Sequence, residues 1–327
     1  MSERLPIDVS TGGFDLLSNA SRTFFDVPSM RDLGTLDAQV AFLGVPYDGG
    51  TPQPGNRTGQ TAGPAAARAW SSQQFEYGAS SDRGADGWYD IETNSEHLRG
   101  VTMADVGDVA IQGADDVRNF QRITEVARRI AEHGSLLVSV GGDHSISFPL
   151  GRGVAAVREV DVVHIDAHAD FLDELDGARF TGASQLRRLA ELERVRSVTA
   201  LGLRNVERPE VEGMCELRVR WATTLELIDR GAAAVVPDLL ADCGALYVSI
   251  DLDVLDLGLV PGTTLPEPGG LSYRELRSVL SEVARCGHVV AFDIAELNPP
   301  YDPSGGTARL AAWIVTHFLS AIFDHPR

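Results

Sequence analysis

Three short clusters carry the residues best suited to chemistry: Gly141-Gly142-Asp143-His144-Ser145, Asp166-Ala167-His168-Ala169-Asp170 and Asp251-Leu252-Asp253-Val254-Leu255-Asp256. Each follows directly on an apolar run. In an extended segment successive side chains alternate, so Asp166, His168 and Asp170 are expected on one side, as are Asp251 and Asp253. Burying Asp166, Asp170, Asp251 and Asp253 together without counterions would cost more than folding can absorb. Two divalent ions would balance those four charges, with His144 and His168 as neutral ligands. An oxygen-rich set with two imidazoles and no thiolate suits two Mn2+ per subunit and is also compatible with Ni2+, cobalt or iron. Water held between such ions has a pKa lowered toward neutrality and becomes a nucleophile. A single Asp-x-Asp or Asp-x-His is more often a turn or cap than a ligand set. Three such clusters at three strand ends shift the balance toward metal.

The elements that must position them are legible as about eight short apolar runs. These are AQVAFLGV, VTMADV, SLLVSV, VDVVHI, SVTALGL, LRVRWA, ALYVSI and HVVAFDI. Helical spacing runs through VRNFQRITEVARRIAEHG, which closes at Gly134. A second helix, LSYRELRSVLSEVARCG, opens on Ser272 with Glu275 three residues later as a capping box. Strands that are apolar throughout and alternate with helices predict a three-layer αβα domain, α/β in class, with a mostly parallel sheet of about eight strands. Ligands in such sheets bind beyond the carboxyl ends of the strands, where the three clusters fall. Residues 1–37 lack a sustained period and read as an N-terminal arm on a single catalytic domain, 38–327.

Among 327 residues, 28 Lys and Arg stand against 47 Asp and Glu, a formal net charge of -19. That balance disfavours nucleic acid and an anionic membrane surface, and favours a small cationic substrate. Cys215, Cys243 and Cys286 lie far apart with no metal or disulfide spacing and read as buried thiols in a reducing compartment. The first residues lack the apolar core of a signal peptide, and no apolar run approaches the ~20 residues of a membrane span, so the expected location is cytoplasmic. His164, inside a strand, reads as a core residue, and His133, His288, His317 and His325 as helix-end or surface residues. The polar segment 78–100 reads as a surface loop whose His97 is a candidate proton carrier.

The motifs GGDHS, DAHAD and SIDLDVLD, in that order and spacing, resemble the metal motifs of the ureohydrolases, which include arginases, agmatinases, guanidinobutyrases, proclavaminate amidinohydrolases and formiminoglutamases. PYDGG at 46–50, VPGTTLPEPGGLSYRE at 260–275 and DIAELNPPYDPSGGTARLAA at 293–312 resemble agmatinases in particular. The resemblance implies an arginase-like fold and a homo-oligomer, trimer or hexamer. It implies that His144, Asp166, Asp170 and Asp251 hold one ion and Asp166, His168, Asp251 and Asp253 the other. It further implies that Glu296 binds the substrate's planar cation and that Asp253 aids proton transfer.

The expected reaction is attack of a metal-bridging hydroxide on a guanidino compound, releasing urea. A formimino substrate releasing formamide is the alternative, and a catalytically silent metal-binding homologue is another. Gly182 stands where most agmatinases carry a histidine, and Leu172 where arginases carry an asparagine that recognises the α-amino acid portion. A binuclear phosphoesterase is a rival from a different class; only Arg57 and Arg204 are loop cations that could reach a phosphate.

Overall fold

The computed structural model describes residues 16–51, 57–72, 87–113 and 115–325. Eleven strands lie among them: β1 (Leu17–Ser18), β2 (Val40–Val45), β3 (Trp88–Asp90), β4 (Ser95–His97), β5 (Met103–Val109), β6 (Leu136–Gly141), β7 (Val160–Ile165), β8 (Val195–Leu203), β9 (Arg220–Thr223), β10 (Ala245–Asp251) and β11 (His288–Ala295). Nine form one sheet in the order β1-β5-β2-β6-β11-β10-β7-β8-β9. All its neighbours are parallel except β1 with β5. Each of the eight apolar runs is a strand of this sheet, and β1 from the N-terminal segment adds the ninth. Residues 1–15 and 78–86 lie outside the described residues.

Nine α-helices lie among the described residues: α1 (Gly63–Ser71), α2 (Asp116–Glu132), α3 (Ser147–Val157), α4 (Gln185–Ala190), α5 (Arg208–Glu216), α6 (Thr224–Arg230), α7 (Ala232–Leu239), α8 (Tyr273–Cys286) and α9 (Gly306–Asp324). Helix α8 starts as its capping box requires, with Glu275 N donating to Ser272 Oγ and Ser272 N donating to Glu275 Oε2 at 2.7 Å. Helix α2 stops short of Gly134, whose φ of +79° suits a residue without Cβ.

The continuous apolarity of the strands has a simple cause, because helices cover both faces of the sheet. On β2, Val40 and Phe42 join a core with α1, α7, α8 and α9, whereas Ala41, Leu43 and Val45 join a second core with α2, α3 and α4. Helix α9 has the length and mean hydropathy, 1.2, of a bilayer-crossing helix. Its apolar residues pack instead on the sheet, with Ala308, Ala311, Ile314, Val315, Phe318 and Leu319 buried. Arg68 on α1 ties the N-terminal segment to the sheet by pairing with Asp105 at 2.9 Å and lying 4.6 Å over the Phe24 ring.

Candidate metal centre

The four adjacent central strands β6, β11, β10 and β7 run parallel, so their carboxyl ends open on one edge. His144 follows β6, Glu296 follows β11, Asp251 ends β10 with Asp253 just beyond, and Asp166 to Asp170 follow β7. Strand β7 stops at Ile165 and the chain bends at 166–168, so strand alternation is not what gathers Asp166, His168 and Asp170. Three strand ends use one local device in its place. Asp143 Oδ1 accepts from Ser145 N at 2.9 Å, Asp166 Oδ1 from His168 N at 2.6 Å, and Asp251 Oδ1 from Asp253 N at 2.8 Å. Each carboxylate satisfies an amide that the sheet no longer pairs. In Asp166 and Asp251 this leaves Oδ2 to face a shared space. Gly142 is required in the first of these turns, since a Cβ there would overlap the Tyr47 carbonyl.

In that space His144 Nδ1 lies 3.0 Å from Oδ2 of each of Asp166, Asp170 and Asp251. His144 Nδ1 and Asp166 Oδ2 are buried and have no hydrogen-bond partner among the described residues. About 3 Å is the ligand-to-ligand edge of an octahedron whose ion–ligand distance is about 2.1 Å. His168 Nδ1 lies 3.0 Å from Asp253 Oδ2 and 3.5 Å from Asp166 Oδ1, a second group beside the first. A protonated His144 could satisfy one of its three carboxylate neighbours and no more, so the donor set fits cations better than it fits its own protons.

The electrostatics agree. Burial pushes the His144 and His168 imidazoles down, and the surrounding aspartates more than offset it, holding both well above the usual histidine range. Burial, then Asp253 and Asp166, pushes the Asp251 carboxyl well up; burial and Asp166 push Asp253 up to about 7. Burial also acts upward on Asp166, but His164, His144 and His168 hold it well below the usual range. Carboxyls displaced in opposite directions within one cluster mark a charge imbalance that divalent ions relieve.

Glu296 borders the cluster. Its Oε1 accepts from His144 N at 2.7 Å, and its Oε2 from Gln60 Nε2 at 3.3 Å and from the Thr264 hydroxyl. Burial raises its carboxyl above the usual value. Asp170 and Glu296 both adopt the left-handed region, with φ of +48° and +63°. Such backbone is costly for a residue with a Cβ and persists where the surroundings over-determine it.

Several expectations change here. His97 is not near the centre: it sits in β4, 2.8 Å from Asp324 at the far end of α9. That 19-residue helix, about 28 Å long, runs away from the site edge. His164 is buried as expected, but its Nε2 is 3.1 Å from Asp166 Oδ2 and its ring stacks on His144 with centroids 5.1 Å apart. His317 lies within α9 among Trp88, Trp313 and Tyr273, not at a helix end or on the surface. Contrary to the expectation of buried thiols, Cys215 on α5 is exposed, and Cys286 at the end of α8 and Cys243 in the connection between α7 and β10 are half-buried.

Arg204 gives its donors to the carbonyls of Asp253, Val254, Leu255, Glu267 and Pro268, and Arg57 to those of Pro261 and Thr263. Both loop cations are structural, which removes the expected phosphate partners. Gly182 lies beside His144: among the described residues a Cβ there would meet nothing closer than His144 Cβ at 3.9 Å. Leu172 N donates to the Ala183 carbonyl at 3.0 Å, closing that loop.

Sequence reasoning missed the residues that support the candidate ligands. Ser249 Oγ lies 2.8 Å from His144 Nε2, and Gln185, Thr264, Gln60 and Glu267 line the same region. Thr264 and Glu267 stood in a motif already singled out, but nothing in their spacing pointed to the site.

Guanidinopropionase of Pseudomonas aeruginosa is 32% identical over 310 residues, spanning 92% of this chain and 92% of that protein. Guanidinobutyrase of the same organism is 30% identical over 313 residues, again 92% of each. The solved structure of proclavaminate amidino hydrolase from Streptomyces clavuligerus matches with a TM-score of 0.78 at 27% identity, covering 92% of this chain and 96% of that one. A sequence profile of the arginase family matches residues 38–320. With the sheet, the strand-end clusters and these relatives in agreement, the chain belongs to the arginase family, whose hydrolases act on amidino C–N bonds.

Proposed function

We propose that this chain hydrolyses a small guanidino compound to urea and an amine, using two Mn2+ ions. The carrying observation is the convergence of four ligand atoms, His144 Nδ1 and three aspartate Oδ2, at 3.0 Å beside Glu296. His144, Asp166, Asp170 and Asp251 would hold one ion, and Asp166, His168, Asp251 and Asp253 the other. Divalent ions in such a site make water nucleophilic near neutral pH and stabilise charge developing on the substrate.

The chain's own residues do the rest. Glu296, with Gln60 and Thr264 fixing one oxygen and His144 N the other, orients the planar cation through its negative charge and the lone pair left on Oε1. Asp253, at the edge of the cluster beside His168, carries a proton to the leaving amine. The buried floor strengthens each of these interactions by excluding water. The names of the guanidinopropionase and guanidinobutyrase relatives support the guanidino class.

A formimino substrate is the second reading, favoured by Gly182 in place of the histidine common in agmatinases. One assay separates them. Manganese-loaded protein, with an EDTA-stripped control, is offered guanidino acids, agmatine, guanidine and formiminoglutamate, and urea and formamide are scored separately. Metal-dependent urea supports the proposal, formamide alone moves the protein to the second reading, and no product from any compound overturns both.

A further inference from the structure

His168 stands between carboxylates on two sides. Its Nδ1 faces Asp253 and Asp166, while its Nε2 lies 3.6 Å from Glu267 Oε1. That separation is an ion-pair distance, longer than a hydrogen bond.

Glu267 is firmly mounted. Its backbone carbonyl accepts from Leu257 N at 3.1 Å and from Arg204 Nη2 at 3.1 Å, and its Oε1 accepts from Asn205 Nδ2 at 2.9 Å. Arg204 also donates to the carbonyl of Asp253 at 2.6 Å. One guanidinium therefore joins the turn that carries Asp253 to the loop that carries Glu267, on either side of the His168 ring.

An imidazole that ligates an ion through one nitrogen keeps its proton on the other, and the acceptor of that proton sets both tautomer and ring orientation. We propose that Glu267 is a positioning residue of the metal centre, accepting the Nε2–H of His168 and so presenting Nδ1 to the ion held with Asp166 and Asp253. This rests on the binuclear reading given above. It assigns Glu267 to the ion and not to the substrate.

The test is a calorimetric titration of Mn2+ into EDTA-stripped full-length protein, wild type, Glu267→Ala and Glu267→Gln, with electron paramagnetic resonance of the coupled ion pair. Glu267→Ala is expected to keep one ion at wild-type affinity and to bind the other about 10–100-fold more weakly. Glu267→Gln, whose amide oxygen still accepts a hydrogen bond, should recover most of that loss. Metal-stripped melting temperatures of both variants should match wild type. Overturning results are an alanine variant that binds both ions normally, a glutamine variant as weak as the alanine one, or a fall in metal-stripped stability that accounts for the loss. A wild type that takes up fewer than two ions would overturn the binuclear centre itself, and this proposal with it.

Discussion

His144 Nε2 lies 2.8 Å from Ser249 Oγ on β10, and this contact turns the opposite ring nitrogen toward three aspartates. Ser249 is paired in register with Asp293 of β11, whose Oδ1 accepts its hydroxyl at 3.1 Å. The chain carboxylate–hydroxyl–imidazole therefore crosses three neighbouring strand ends and sets which nitrogen of His144 faces the aspartates. Ser249→Ala should lower Mn2+ affinity by about 10–100-fold with two ions still bound at saturation. Calorimetry on stripped protein measures it, and unchanged affinity would remove Ser249 from the centre.

Asp166 faces both ligand groups, His144 and His164 through Oδ2 and His168 through Oδ1. Replacing Asp166 or Asp251 with alanine should abolish two-ion stoichiometry in dialysed protein measured by plasma emission. A fully occupied pair in either variant would refute the ligand assignment.

Glu296→Gln keeps the size and, through its amide oxygen, the hydrogen bond accepted from His144 N, but loses the charge that a guanidinium needs. Losing that charge-assisted contact should cost about 1.5–3 kcal/mol, roughly 10- to 150-fold in kcat/KM. Metal content should be unchanged. Steady-state kinetics beside metal analysis check both halves.

Among the described residues Gly182 has room for a Cβ, and it is not in the left-handed region. Gly182→His should shift stability by no more than about 0.5 kcal/mol. If the imidazole reaches the proton that leaves with the amine, kcat should rise by about 10² or more. A stable variant with unchanged kcat would show that this position is not a proton-transfer site in this protein.

Burial, with Arg277 adding to it, lowers His317 to about 4. In the unfolded chain it titrates near 6.5, so between those values the unfolded state binds more protons and stability falls as pH falls from about 6.5 toward 4. Allowing for partial solvent access, the loss is on the order of 2 kcal/mol. Denaturation of wild type and His317→Phe at pH 7 and at pH 4.5 should show the stability difference moving in favour of the variant in acid. Parallel pH dependence would contradict it.

The local elements were legible because their causes are local. All eight apolar runs became strands, and Ser272 with Glu275 started α8 as a four-residue motif can. The candidate ligand types were legible too, since one such cluster is usually a turn or cap, whereas three of them, each directly after an apolar run, are not. Strand alternation proved the wrong reason for gathering Asp166, His168 and Asp170, because the strand ends at Ile165 and a side-chain-capped bend takes over.

By itself, then, the sequence determined which residues could ligate, which segments would be strands, and that both faces of the sheet would be covered; each depends on side-chain chemistry or a short period. Only the tertiary structure decided that β6, β11, β10 and β7 lie side by side and so turn separate clusters into one centre. It also decided that Arg57 and Arg204 are engaged by backbone carbonyls, that His97 lies at the other end of α9, and that Glu267 reaches His168. The reason is physical. Strand order follows from burying two helix layers against one sheet, a balance summed over the whole chain, and no local spacing records which strand ends will meet.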